Sequence, residues 1–220
     1  MKILSRFNRI LALFLVFITA MVLVRIYFSG NIKYVSILWN IFLGWIPYAL
    51  ALAFPAAHLK AGWKQFVLFG SWLIFFPNAL YIVTDLIHLG DESNVPLWYD
   101  AILLFASSFI GIIMAFISLR KAERFLRRLF GPKKTALVIP AILFISSYGV
   151  YLGRFERWNS WDVITDPAAL AFSIGSSVLS PVDNYRVWAI TLLFTGIYSL
   201  LYFSIKILPY AFSENKHTGH

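Results

Sequence analysis

Asn78, Tyr81, Asp85 and His88 are spaced three, four and three residues apart in the segment Phe75-Phe76-Pro77-Asn78-Ala79-Leu80-Tyr81-Ile82-Val83-Thr84-Asp85-Leu86-Ile87-His88-Leu89. On an α-helix this spacing places all four on one face, with Glu92 next in line. An Asp followed three residues later by a His can ligate one cation, or serve as a carboxylate–imidazole acid/base pair, because both side chains point the same way. A plain ion pair at a helix rim is the alternative. Pro77 deletes the amide that would bond the carbonyl of Leu73, so a kink is expected, with Asn78 or a water satisfying the freed oxygen.

Beyond Gly90, a short polar turn leads to Trp98-Tyr99-Asp100. Asp100 reads first as an N-cap or first-turn acid of the next helix. The turn is also short enough to bring it to Asp85 and His88, giving three catalytic or divalent-cation ligands at one rim. A second constellation follows in Gly153-Arg154-Phe155-Glu156-Arg157-Trp158-Asn159-Ser160-Trp161-Asp162. If a helix continues through it, Arg154, Arg157 and Trp161 share a face. The two arginines pair with Glu156, Asp162 or the earlier acids, or else they grip an anionic headgroup or lipid-linked phosphate in a bidentate fork. In the second case Asn78, Tyr81, Arg154, Arg157, Asn159 and Asp162 are the substrate-binding candidates.

Membrane-spanning helices must position these residues. The chain is 60% hydrophobic and 13% charged, with a mean hydropathy of +0.75, an apolar excess that a soluble domain cannot bury. Apolar blocks near the ~20 residues of a spanning helix run roughly over 10–28, 35–57, 66–89, 101–119, 135–152 and 187–208. The expectation is one all-α transmembrane domain, 1–220, of about six spans. The first block, behind basic Lys2, Arg6 and Arg9, reads as an uncleaved anchor whose end is marked by a snorkelling Arg25 and by Tyr27. Asp166-Pro167 reads as a helix start, and Ala168 to Leu179 is too short to span, so an interfacial or re-entrant helix is expected between the fifth and sixth spans.

Charge sets the orientation. With the N-terminus inside, only Arg25, Lys33, Arg154, Arg157 and Arg186 of the 19 Lys and Arg lie outside, and only Glu123 and Glu214 of the 10 acids lie inside. The positive-inside rule therefore places both termini in the cytoplasm. The net charge of +9 does not imply nucleic acid, because the run from Arg120 to Lys134 is a cytoplasmic connection that faces anionic lipid. His58 reads as interfacial and His217 and His220 as tail residues. The absence of cysteine excludes disulfides and thiolate chemistry. Phosphate-loop, GxSxG and HExxH signatures are missing as well.

Phe76-Pro77-Asn78-Ala79-Leu80-Tyr81-Ile82-Val83-Thr84-Asp85-Leu86-Ile87-His88-Leu89, Trp98-Tyr99-Asp100 and the Gly153 to Asp162 motif together resemble a family of bacterial multipass membrane proteins catalogued only as a domain of unknown function. The resemblance covers most of the chain from the second span onward, with Leu80 standing where a second Pro is expected. It implies a bacterial plasma membrane and treats the three motifs as one unit, and it implies no activity. Three readings are open. The first is an envelope protein that hydrolyses or transfers groups on a lipid-linked or phosphate-bearing substrate at the outer face; the second is a transporter or channel component, and the third a non-catalytic subunit.

The topology is directly testable. Cysteines introduced as Ser93→Cys and Asn159→Cys should react with an impermeant thiol reagent in intact cells. Arg127→Cys should react only after permeabilisation, and its labelling in sealed cells would invert the orientation.

Overall fold

A computed structural model describes residues 2–54, 62–90 and 95–214. His58, Lys60, Asp91, Glu92, Ser93, Asn94, Lys216, His217 and His220 lie outside the described residues. Every regular element among the described residues is helical: α1 (Lys2–Ser29), α2 (Val35–Leu52), α3 (Trp63–Tyr81) running into a 3-10 helix (Ile82–His88), α4 (Leu97–Phe155), α5 (Asp162–Thr165), α6 (Pro167–Leu179) and α7 (Tyr185–Glu214). Five of these segments are long and apolar enough to cross a membrane, and α6 is a shorter apolar helix.

Two elements depart from the sequence expectation. The third span begins at Trp63 and changes at Ile82 from α to 3-10 winding. The fourth and fifth spans are not separated by a loop. α4 covers both in 59 residues, interrupted only at Gly131, where two helices merge across non-helical backbone at φ 75° and ψ 171°. The basic run between the two spans stays helical because Arg, Lys, Ala and Leu are all strong helix formers. Gly131 breaks it because only Gly takes that left-handed φ at little cost.

The chain forms two compact units, residues 1–129 and 130–220. In the first, a core built from α1, α2, the 3-10 helix and α4 includes Ile18, Ile41, Ile82, Leu103 and Ile110. An aromatic cluster closes the other part of this unit. Phe125 stacks on Phe54 at 5.3 Å, and Trp72 packs on Phe69 and Phe76. Two glycines let three backbones approach. A methyl group added at Gly44 in α2 would lie 2.8 Å from Ile82 Cδ1 and 3.1 Å from Ala79 Cα. One added at Gly111 in α4 would lie 2.9 Å from the same Cδ1 and 3.0 Å from the Ala79 carbonyl oxygen. Ile82, fully buried, is thereby wedged between two helices that can approach only because neither carries a side chain there.

In the second unit, the expected short helix forms where the sequence places it. Asp166 caps α6 by accepting from the Ala169 amide at 3.2 Å, and Pro167 occupies the first turn. Trp188 of α7 stacks between Tyr148 and Phe144, and its indole N–H donates to the Ser177 carbonyl at 3.1 Å, tying α6 to α7.

The glycine wedge gives a quantitative expectation. Gly44→Ala and Gly111→Ala should each destabilise the protein by about 1 to 3 kcal/mol through overpacking against backbone atoms that cannot rotate away. Gly70→Ala in α3, where an added methyl meets nothing within 4 Å, should be neutral or gain up to about 1 kcal/mol of helix propensity. Unfolding in mild detergent compares the three, and equal stability of the Gly111 and Gly70 variants would remove the wedge.

Candidate functional site

In the first unit Arg25, Asp100, Tyr34 and the backbone of His88 are joined by one chain of contacts. Arg25, near the end of α1, has 0% of its surface exposed; its Nε and Nη2 donate to the two carboxylate oxygens of Asp100 at 2.8 and 3.0 Å. Asp100 sits in the first turn of α4 and is 1% exposed. The Arg25 guanidinium carbon lies 3.4 Å from the centre of the Tyr34 ring, so the cation is forked on one side and stacked on an aromatic face. The Tyr34 hydroxyl in turn donates to the His88 carbonyl at 2.9 Å. Tyr99, beside Asp100, donates to the Met21 carbonyl at 2.8 Å, a second tie between α1 and α4.

One sequence expectation is corrected here. Arg25 does not snorkel to the rim, since a buried carboxylate neutralises it within the protein. Asp100, read from the sequence as a first-turn acid or a cation ligand, is forked to Arg25 through both carboxylate oxygens. Among the described residues no group of three His, Asp or Glu side chains is placed to hold a metal ion.

The α-helical winding expected at Asp85 and His88 is also replaced. In a 3-10 helix, residues three apart eclipse one another. Ile82, Asp85 and His88 therefore form one edge, whereas Asn78 and Tyr81 belong to the preceding α-helical turns. Asp85 is 3% exposed, and its Oδ2 accepts from Asn40 Nδ2 of α2 at 2.9 Å. His88 is half-buried at the end of the edge. Thr84 donates to the Tyr81 carbonyl at 2.6 Å, and Ser108 of α4 to the Ile82 carbonyl at 3.4 Å, so carbonyls at the change of winding find side-chain donors. Asn78 donates to the Phe75 carbonyl at 3.1 Å, in the turn that Pro77 disturbs.

Arg154, Arg157, Asn159 and Asp162 lie in the second unit. α4 ends at Phe155, and Arg157 takes a left-handed φ of 63°, so the helical face that would have aligned Arg154, Arg157 and Trp161 does not form. This backbone lets the Trp158 amide return to the Leu152 carbonyl at 3.2 Å. The acids beside the arginines accept from neutral donors. Glu156 accepts from the Trp158 indole at 3.2 Å and from the Ser173 hydroxyl of α6. Asp162 accepts from the Asn159 amide at 2.7 Å, from Asn159 Nδ2 at 3.2 Å and from the Thr165 hydroxyl at 3.0 Å. The backbone N–H of Asn159, helped by both side-chain donors against a smaller opposing burial effect, holds the Asp162 carboxyl below the ordinary carboxylate value. Its support of the turn is thus present above that ordinary value and lost as the pH falls through the lowered one.

Arg25, Tyr34 and Asn40 were missed as site residues. Arg25 and Asn40 had a signal: an arginine on the outer side against the positive-inside rule, and a lone Asn inside an apolar span.

Five long apolar helices, with buried charge facing protein, define an integral membrane protein with several spans. The chain belongs to the family described as "Protein of unknown function (DUF1361)", which matches residues 39–201. No curated protein and no solved structure matches it.

The ion pair makes a sharp prediction. Asp100→Ala leaves a buried guanidinium without its carboxylate and should cost about 3 to 5 kcal/mol, whereas the double change Arg25→Met with Asp100→Leu should recover most of that loss. Thermal unfolding in detergent measures both. A loss below about 1 kcal/mol for Asp100→Ala would mean that the pair is not what holds α1 to α4.

Proposed function

We propose that this protein spans the bacterial plasma membrane six times, the two arms of α4 counting separately, with both termini in the cytoplasm. We assign to the outer end of its first unit an acid/base site, Asp85 with His88, that hydrolyses or transfers groups on a lipid-linked or phosphate-bearing envelope substrate. The supporting observation is the 3-10 winding of Ile82–His88 within a spanning segment. Irregular winding inside a spanning helix often marks a functional position. Here it stacks a carboxylate and an imidazole on an edge whose inner end is wedged by Gly44 and Gly111.

In this reading His88 takes the proton of the attacking hydroxyl or water as its oxygen bonds to phosphorus, then returns it to the leaving oxygen. Asp85, oriented by Asn40, steadies the imidazolium formed in between. Asp100 is a positioning residue that fixes Arg25 and, through Tyr34, the backbone of His88. Tyr81 and Asn78 lie one and two turns deeper than Asp85 and contact the substrate's less polar part. Ser107, Ser118, Ser146 and Ser147 donate to carbonyls of their own helix turns, which favours an outer-face site over a polar path through the bilayer.

The test is turnover by the full-length protein in nanodiscs supplied with a bacterial envelope lipid extract and followed by mass spectrometry. The wild type should consume at least one phosphate-bearing lipid species. His88→Ala, folded as judged by its thermal transition, should slow that loss by about 10²- to 10⁴-fold. No consumption by the wild type, or an undiminished rate in His88→Ala, would sink the reading.

A further inference from the structure

The short helix α6 wears its polarity inside out. Toward its own unit it presents Ser173, which donates to Glu156 at the end of α4, and the buried Ser177, whose carbonyl accepts from Trp188. Outward it presents Phe172 and Leu179, 80% and 84% exposed, and Ile164 of the preceding turn is 84% exposed as well. Within α6, positions 168, 172, 175 and 179 follow at intervals of four, three and four, the repeat of one helix face. In water such a helix would turn over, burying Phe172 and Leu179 and exposing Ser177. Polar groups facing protein and apolar groups facing out is the arrangement that hydrocarbon solvent selects.

Length and charge narrow the occupant further. Thirteen residues reach about 20 Å, short of the ~30 Å hydrocarbon core, so α6 cannot cross. Two exposed arginines flank its polar attachments. Arg157 adjoins Glu156, the acceptor of Ser173, and Arg186 stands two residues before Trp188, the donor to Ser177. Arg157 moreover occupies a left-handed backbone position that Gly would fill at lower cost, by about 1 kcal/mol, so the guanidinium sits where local conformational preference argues against it.

From this geometry we infer that α5 and α6 form a lipid-docking platform: the face of Ile164, Phe172 and Leu179 is immersed among acyl chains, and Arg157 and Arg186 hold the phosphates of anionic glycerophospholipid. The leaflet is the outer one under the topology proposed above, and that clause alone rests on the earlier reading. Neither the immersion nor the phosphate contact depends on the chemistry assigned to His88.

Because the chain contains no cysteine, a single nitroxide can be attached through Phe172→Cys in the full-length protein without removing any other thiol. In nanodiscs, collisions of this label with oxygen should exceed those with a water-soluble nickel chelate several-fold. Dominant nickel collisions would place the face in water, and low collisions with both would mean that protein covers it, as by a second copy or a partner subunit. Either result overturns the immersion. A second measurement compares retention of phosphatidylglycerol and phosphatidylcholine by native mass spectrometry. The double variant Arg157→Gly, Arg186→Gln should lose phosphatidylglycerol several-fold while keeping its thermal transition, because Gly suits the backbone at 157. Unchanged retention of phosphatidylglycerol would overturn the phosphate contact. Turnover is not read in either arm, so failure here and failure of the acid/base site remain separate results.

Discussion

The first unit depends on one buried contact, the forked pair between Arg25 and Asp100. Each charge alone would cost several kcal/mol to remove from water, and far more if left facing lipid. Together they close a separation of 75 residues and fix α1 against the start of α4. The stacked ring of Tyr34 extends the contact to the start of α2, and its hydroxyl extends it to the end of the third span at the His88 carbonyl. All four spanning segments of the unit are therefore joined at one end by a single connected set of polar groups. Removing any member leaves another desolvated, which explains why such a set fixes geometry more sharply than apolar packing can.

The glycine wedge sets the depth at which that geometry is used. Gly44 and Gly111 bring two helices onto Ala79 and Ile82, where van der Waals contact replaces the hydrophobic effect as the source of helix association. From Ile82 outward the chain rises at about 2.0 Å per residue in place of 1.5 Å. Seven residues of 3-10 winding thus carry His88 about 3.5 Å farther toward the rim than an α-helix would. The same change replaces the four-residue stripe by a shorter edge of Ile82, Asp85 and His88. Asp85 is kept below the surface beside Asn40, while His88 stays half-buried at the end of the span.

In the second unit the choice of solvent decides the local structure. α6 buries Ser177 and exposes Phe172, a pattern suited to apolar surroundings. The turns before it use local side-chain acceptors: Asp166 caps α6 through the Ala169 amide, and Asp162 accepts from the Asn159 amide upstream of α5.

Composition and pattern alone determined that the chain lives in a bilayer, roughly where its spans lie, that a short helix begins at Asp166-Pro167, and that Asp85, His88 and Asp100 are exceptional for their surroundings. Those properties follow from local hydropathy and capping preferences, which act over a few residues. Only the tertiary structure decided the rest. Hydropathy marks contact with lipid and not helix ends, so the basic run preceding Gly131 looked like a loop although its residues favour helix. The partner of Asp100 stands 75 residues away, and no local pattern encodes such a pairing. The switch to 3-10 winding at Ile82 accompanies a wedge between glycines of two other helices, and the left-handed turn at Arg157 redirects a face that α-helical spacing would have continued. In each case the deciding contact joins segments distant in sequence, or depends on a backbone angle that residue type alone does not set.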